Sequence, residues 1–436
     1  FLDYQKDMSQ LKAKSDIPIL YKQNVANDLF QLIYVFDMGN NHDKALGTAF
    51  DYLEYLGTSD MTPEELKSEF YRLACTFYVS PGNERTYVVL SGLNENMPAA
   101  VQLFEKLLAD AQVNKEAYTN MTSDILKARS DAKLNQGQNF SRLMSFAMYG
   151  PKSPATNLLT EAELTNMNPQ ELVDRIHNQN SYKHRILYYG PSSSKDLLAT
   201  INQYHQVPAA LKDIPAGNEY AYLETPVTKV LVAPYDAKQI YMAQISNLDK
   251  KYDPAIEPIR ALYDEYFGGG MNSIVFQEMR ETRGLAYSAW ASIMPPSYLK
   301  YPYVLRTQIA TQNDKMIDAV TTFNDIINNM PESEAAFKLA KDGLTNRLRT
   351  ERIIKGDIIW SYINAQDLGQ NVDPRIKLYN DIQNMSLKDI VDFQKQWVKG
   401  RTYVYCILGD KKDLELDKLK AVGPIEELTQ EQIFGY

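Results

Sequence analysis

Residues 266–291 read YFGGGMNSIVFQEMRETRGLAYSAWA, and this stretch is the most informative in the chain. It opens with three glycines, Gly268, Gly269 and Gly270. Glycine permits a positive φ angle and a close approach of two backbone segments, so we expect a tight turn here. Residues 273–283 then have the apolar spacing of a helix, and Gly284 is a suitable residue to end it.

The two arginines of this stretch, Arg280 and Arg283, fall in the last turn of the predicted helix. A cation at that end of a helix is favourable through the helix dipole alone, so the pair has a purely structural interpretation. A phosphate-binding loop fits poorly, because neither G-x-x-x-x-G-K-[ST] nor G-x-G-x-x-G is present. The glycine turn, the helix ending in arginine and the tyrosine Tyr287 are more specific together than separately.

As a set, these features closely resemble a signature in the C-terminal domains of the pitrilysin/insulinase family of zinc metallopeptidases, the inverzincins of the peptidase M16 family. In that family a tyrosine follows the arginine by seven residues, as Tyr287 follows Arg280 here. The resemblance implies that Arg280 and Tyr287 bind substrate carbonyl oxygens near the scissile bond, with Arg283 as a secondary candidate. A guanidinium and a phenol also suit that task chemically, because both are hydrogen-bond donors at neutral pH.

The chain also contains an internal repeat at an offset of roughly 210–220 residues. LTNMNPQELVDRI (164–176) matches IQNMSLKDIVDFQ (382–394), and EYLGTSD (54–60) lies opposite EYFGGGM (265–271). Strand-like and helix-like segments recur in the same order in both halves. With the resemblance, this predicts an α+β fold of two homologous domains, each a mostly antiparallel sheet packed with helices, of the LuxS/MPP-like metallopeptidase type.

We predict the domain boundaries as follows: a linker helix and lead-in over 1–27, a first domain over 28–210, and a second domain over 211–436. The proline-containing, weakly periodic segment 206–228 is interpreted as a hinge-like linker between the domains. The opening FLDYQKDMSQLKAK looks like part of a helical linker that would join two halves of a longer chain.

Catalysis in the family needs H-x-x-E-H on a helix, with two histidines on zinc and a glutamate as general base. The chain has four histidines, and none begins this motif. FDYLEYLGT (50–58) resembles the motif helix; aligned on Glu54, the histidine positions hold Asp51 and Tyr55. The sequence therefore predicts that this chain binds no metal or other cofactor, and that zinc belongs to the partner half.

Composition narrows the remaining classes. The 436 residues are 44% hydrophobic and carry a net charge of -9, which disfavours nucleic acid as a partner. The chain contains no run of eighteen apolar residues, so the sequence predicts no membrane span. The two cysteines, Cys75 and Cys406, lie in apolar segments and are predicted to be buried free thiols.

Two functions stay open at this point. The first is the zinc-free, substrate-binding C-terminal half, or non-catalytic subunit, of a metalloendopeptidase that cleaves peptides or unfolded segments. Its partners would be the peptide and a zinc-bearing N-terminal half or catalytic subunit, and the isolated chain would be inactive. The alternative is a non-enzymatic scaffold subunit of the same fold, for which the Arg280–Tyr287 pair has no use. The resemblance favours a bacterial periplasm as the compartment.

Overall fold

A computed structural model describes residues 1–236 and 238–436, and it consists of two six-stranded mixed sheets packed with helices. The strands of the first sheet are β1 (Ser9–Lys12), β2 (Pro18–Gln23), β3 (Leu29–Phe36), β4 (Cys75–Pro81), β5 (Thr86–Leu93) and β6 (Arg185–Gly190). Those of the second sheet are β7 (Lys229–Pro234), β8 (Gln239–Lys251), β9 (Ser288–Met294), β10 (Pro302–Gln312), β11 (Val404–Gly409) and β12 (Ile425–Glu427).

The helices of the first half are α1 (Tyr4–Asp7), α2 (Leu46–Leu53), α3 (Pro63–Arg72), α4 (Met97–Asp110), α5 (Lys115–Leu134), α6 (Gln136–Tyr149), α7 (Glu161–Asn166), α8 (Gln170–Asn178) and α9 (Ser194–Tyr204). Those of the second half are α10 (Glu257–Phe267), α11 (Ile274–Phe276), α12 (Met316–Asn328), α13 (Glu334–Thr350), α14 (Asp357–Asp367), α15 (Pro374–Ile382), α16 (Leu387–Trp397), α17 (Leu416–Leu419) and α18 (Gln430–Phe434). None of the helices described is long and apolar enough to cross a bilayer.

The two sheets have the same topology, which confirms the predicted α+β fold. Their strand orders are β1-β2-β6-β3-β5-β4 and β12-β7-β11-β8-β10-β9, so five successive strands correspond. In each sheet the strand next to the edge runs parallel to its inner neighbour, β2 with β6 and β7 with β11, and the pairs that follow are antiparallel. The helices of the sequence repeat, α8 and α16, also occupy matching places before β6 and β11.

The predicted linker helix over 1–27 is wrong. A single helical turn, α1, is followed by β1 and β2, and β2 lies inside the first sheet beside β6. PILYKQ is a short, continuous apolar run rather than an alternating one, which is why its strand character is hard to recognise. The first sheet therefore starts at Ser9 instead of at residue 28.

Each domain contributes one helix that packs on the sheet of the other domain. The apolar residues Phe140, Leu143 and Ala147 of α6 pack on the second sheet, in one cluster with strands β7, β8 and β11. In return, Ile358, Ile359 and Ile363 of α14 pack on the first sheet, against β2, β3 and β6. The opposite face of each sheet is covered by its own domain's helices. A simple division at residue 210 therefore does not separate two independent cores.

The segment 206–228 contains no helix or strand, as predicted, but both domains hold it in place. The backbone N–H of Asn218 donates to Asn41 O at 2.7 Å, and that of Leu223 donates to Met148 O at 2.7 Å. The ring of Tyr222 lies 5.0 Å from those of Tyr149 and Tyr301, which belong to different domains. These contacts fasten the segment along its length, so a hinge-like character is not what the structure shows.

A buried ion pair also joins the domains. Arg85, in the β4–β5 hairpin, donates from both Nη atoms to the two carboxylate oxygens of Asp367 in α14, each at 2.6 Å. Its Nε donates to Asp37 at 2.6 Å. The Arg85 and Asp367 side chains are only 12% and 15% exposed, so the pair is largely withdrawn from water.

Candidate functional site

The glycine turn provides a close approach of backbones rather than an unusual φ angle. None of its three glycines has a positive φ, so that part of the expectation is wrong. A Cβ on Gly268 would lie 2.2 Å from Ala291 O, in β9, whereas one on Gly270 would have 4.0 Å to its nearest neighbour. The N–H of Ala291 donates to Gly268 O at 3.3 Å. Gly268 thus lets the end of α10 lie directly against the edge strand β9.

The predicted helix over 273–283 is present, and it contains a π-helical turn. Ser273 caps the first turn, and the helix widens over Gln277–Thr282. It ends at Gly284, whose φ of +59° confirms it as the terminating residue. π-turns are rare and occur often at functional sites. This one buries Met279 completely while leaving the next residue, Arg280, on the surface.

The structure brings Arg280 and Tyr287 together. The guanidinium carbon of Arg280 lies 5.6 Å from the centroid of the Tyr287 ring and 5.1 Å from that of Phe276. The Tyr287 side chain is 71% exposed, which is unusual for a large aromatic residue beside a strand. The ion pair of Arg280 with Glu281 is long, at 3.6 Å, and half-exposed, so it contributes little. Hydrogen-bond donors of both side chains thus remain available to a ligand.

Arg283 takes a different direction. Its Nε lies 3.6 Å from Glu278 Oε2, within its own helix, and it is half-exposed. No contact between Arg283 and Tyr287 is found in the described part of the chain. Arg283 is therefore near the Arg280–Tyr287 pair in sequence without sharing its geometry.

The counterpart of the zinc motif offers no metal site. The helix α2 ends at Leu53, so Glu54 caps it and Tyr55 lies beyond its end. Asp51 and Glu54 are both accessible to solvent, and a partial loss of hydration together with the nearby Glu54 charge raises the pKa of Asp51. Across residues 1–236 and 238–436 no three His, Cys, Asp or Glu side chains are grouped as metal ligands. A catalytic zinc does not fit these positions.

A buried polar network in the first domain was not anticipated from the sequence. His205 Nδ1 lies 2.5 Å from Glu105 Oε1, and its Nε2 lies 2.8 Å from Nε2 of His184. His184 Nδ1 faces the carbonyl oxygen of Tyr182 at 2.6 Å. Three further donors reach Glu105: the Tyr34 hydroxyl, the Asn180 amide and the Gln206 backbone N–H.

These contacts constrain the protons of the network. Because Tyr182 O can only accept, His184 donates from Nδ1, and its Nε2 accepts from Nε2 of His205. Burial and the neighbouring His205 lower the pKa of His184 to about 3. The network holds the start of segment 206–228 to α4, and its members are too far apart in sequence for a motif to reveal them.

The outer edges of the two sheets differ. At β9, the second-sheet edge, Ala291 N–H is bound by Gly268 and Ile293 N–H donates to Asp264 Oδ1 at 2.9 Å. At β4, the first-sheet edge, the N–H of Gly82 donates to Arg85 O, so these residues form a hydrogen-bonded pair in the β4–β5 hairpin. Because bonded and non-bonded pairs alternate along antiparallel strands, the backbone N–H and C=O groups of Phe77 and Val79 point away from β5. Those groups have no backbone partner among the residues described. Of these two edges, β4 is thus the one open to a further strand.

Two mixed-sheet domains of matching strand order, with a π-turn after the glycine turn, define the class of this chain by its fold, which is that of the inverzincins. Residues 186–344 match the family model described as the peptidase M16 inactive domain. This match confirms the resemblance to the peptidase M16 family that the signature around Arg280 predicted.

Several known proteins are similar to this chain. A protein of Helicobacter pylori, "Non-peptidase homolog YmxG", is 23% identical over 92% of this chain and 93% of its own length. The crystal structure of a peptidase M16 inactive domain from Pseudomonas fluorescens superposes with a TM-score of 0.71 at 15% identity, over 93% of this chain and 98% of that one. The periplasmic protease PqqL of Escherichia coli superposes with a TM-score of 0.72 at 13% identity. The superposition covers 94% of this chain but only 46% of PqqL.

Proposed function

We propose that this chain is the zinc-free, substrate-binding half of a metalloendopeptidase that cleaves peptides or unfolded segments. The observation that carries the proposal is the Arg280–Tyr287 pair, an exposed guanidinium and phenol stacked on one another at the end of a π-turn. A fold kept only as a scaffold has no need to hold these two donors together at the surface.

In this role the two side chains bind the carbonyl oxygen of a peptide whose scissile bond lies at the partner's zinc. The guanidinium and the phenol donate hydrogen bonds to an oxygen that gains negative charge as the bond is attacked. Their stacking limits the rotation of both side chains, which lowers the entropic cost of placing the donors. This chain supplies no general base and no metal for the reaction.

The open edge of β4 supports the same function. Phe77 and Val79 present unpaired N–H and C=O groups in the alternation that an added antiparallel or parallel strand requires. Recognition through backbone groups suits peptides of varied sequence. It also requires an extended substrate, and folded proteins do not present one.

The zinc-bearing partner is either a separate subunit or another half of the same polypeptide. Both arrangements agree with the lengths of the similar proteins, since this chain spans 93% of the Helicobacter protein and 46% of PqqL. We also propose the bacterial periplasm as the compartment, in line with the description of PqqL as a periplasmic protease.

The second candidate is a scaffold without peptidase function. It is favoured by one observation, the similarity of 92% of this chain to a protein described as a non-peptidase homolog. In this case the chain would stabilise a zinc-bearing subunit without contacting its substrate.

A peptidase assay separates the two. The chain is tested alone and with a zinc-bearing M16 half, on an unstructured fluorogenic peptide. We expect the chain alone to be inactive, and Arg280→Ala or Tyr287→Phe to lower the rate of the mixture by about 10²-fold, as for the loss of one oxyanion donor. The matched control is Arg349→Ala, because Arg349 is also exposed and stacked on a tyrosine, Tyr379, at 5.6 Å. Equal rates for all variants would support the scaffold.

A further inference from the structure

Arg306 is a half-buried cation to which the described chain offers no anion. It lies in the middle of β10, and its Nε is excluded from solvent without a hydrogen-bond acceptor. Its one hydrogen bond to a side chain runs from Nη2 to Gln308 Oε1, at 3.0 Å. No Asp or Glu of the described residues lies within ion-pair distance of it. Burial consequently lowers the pKa of Arg306.

Other partly buried arginines of this protein have a compensating partner. Arg129, Arg142 and Arg401 lack a carboxylate among the described residues, but each donates to a backbone carbonyl oxygen. The following arginines each donate to at least one carboxylate: Arg85, Arg175, Arg185, Arg260 and Arg375. Withdrawing an arginine from water is costly unless an anion compensates for the lost hydration. Among the described arginines, only Arg306 combines a buried Nε that has no acceptor with the lack of a carboxylate partner, as expected of a binding residue whose anion comes from a ligand.

The surroundings of Arg306 hold its guanidinium ready for a planar anion. The group lies 5.2 Å from the centroid of the Trp290 ring on the neighbouring strand β9. Arg306 pairs with Ser292 across the strands, and Gln308 pairs with Trp290, so these four side chains share one face of the sheet. The helix α6 covers this face over β7, β8 and β11, and the β9–β10 side is only partly buried.

We propose that Arg306, oriented by Trp290 and Gln308, is a subsite for a carboxylate of an extended peptide. A guanidinium can bind both oxygens of a carboxylate with two parallel hydrogen bonds, which the unoccupied donors of Arg306 permit. The carboxylate can belong to an acidic side chain or to the C-terminus of the peptide. This assignment rests on the proposed function, and it gives that function a preference for acidic peptides.

The subsite lies on the face of the second sheet opposite the helix that carries Arg280. Met279 of that helix packs in one cluster with Ala289 and Ala291 of β9, whereas Trp290 alternates to the other face of the strand. A peptide that contacts both sites therefore has to cross the edge strand β9.

Fluorescence anisotropy with labelled peptides of one length tests the assignment. One peptide has an internal Asp and an amidated C-terminus, the second has no acidic residue and a free C-terminus, and the third is neutral and amidated. For the wild-type chain, we expect at least one carboxylate peptide to bind about ten-fold or more tightly than the neutral one, as for a charged hydrogen bond. The peptide that shows the preference identifies the source of the carboxylate.

Arg306→Met should remove the preference and leave binding of the neutral peptide unchanged. Arg306→Lys should retain part of it, because the charge remains without the planar fork. The control Arg349→Met removes a stacked but exposed arginine and should preserve the preference. The melting temperature of Arg306→Met should not fall, because an uncompensated cation is lost, whereas a structural arginine would lower it.

The outcomes separate this assignment from the function on which it rests. Equal binding of all three peptides by the wild type, or a preference that survives Arg306→Met, overturns the carboxylate subsite and leaves the peptide-binding function standing. Absence of any peptide binding overturns both. A loss of affinity for every peptide in Arg280→Ala, with the preference intact, supports both.

Discussion

Acid should destabilise this protein through the buried pair of histidines. Burial and the neighbouring His205 lower the pKa of His184 to about 3 in the folded chain. In the unfolded chain a histidine titrates near about 6.5. The folded pKa is the lower of the two, so unfolding takes up a proton between these values, and acid favours the unfolded chain. The free energy of unfolding should fall by about 1.4 kcal/mol per pH unit, or about 2 kcal/mol from pH 6.5 to pH 5.

Urea denaturation at pH 7, 6 and 5 measures this contribution. His184→Gln should be less stable than the wild type at pH 7, by about 1 kcal/mol for each lost hydrogen bond, and less sensitive to acid. Carboxylates that titrate in the same range are common to both proteins, so the difference between them isolates His184. His177→Gln is the matched control, because the ring of His177 is bonded to Ala111 O outside the buried pair. Parallel loss of stability in wild type and His184→Gln would refute the reasoning.

Two further predictions concern backbone packing and the domain interface. Gly268→Ala should lower the free energy of unfolding by about 2–3 kcal/mol, because its Cβ would lie 2.2 Å from Ala291 O, whereas Gly270→Ala should be nearly neutral. Thermal unfolding compares the two variants directly, and equal stabilities would contradict the close approach. Arg85→Met should lower the free energy of unfolding by about 3 kcal/mol or more, because it leaves the largely buried Asp367 carboxylate without its cation. Calorimetry with Asp367→Asn as the companion variant checks this, and a loss below about 1 kcal/mol would show that the pair contributes no more than an exposed one.

Much of the fold could be predicted from local pattern. The strand β3 is a nearly continuous apolar run before a turn, the capping box of α3 is present at Thr62 and Glu65, and the sequence repeat α8/α16 lies where its offset suggested. The parallel strands β2 and β7 were not recognised, because both are short apolar runs next to irregular segments. Their place in the sheet depends on pairing with β6 and β11, more than 160 residues further along the chain.

Part of the candidate site could likewise be predicted from the local sequence, and part of it could not. Arg280 and Tyr287 lie seven residues apart around one helix end, so a signature could identify them, and the structure stacks them. The Glu105 network and the Arg306–Trp290 pair arise from contacts between separate elements. Nothing in the local sequence distinguishes Arg306 from any other arginine on a strand. Its distinction is a buried Nε without an acceptor, combined with the lack of a carboxylate partner among the described residues.

The exchange of helices between the two domains has a consequence for how the chain is made. All six strands of the first sheet have been synthesised once residue 190 is complete, yet the helix α14 that covers one face begins only at Asp357. During translation that apolar face, with Leu20, Ile33 and Leu187, has no cover from the chain itself. The first domain therefore remains incomplete on the nascent chain for much of the elongation time, and the final structure forms only when both halves are present. Factors that shield nascent apolar surface should matter more for this protein than for one whose domains close independently.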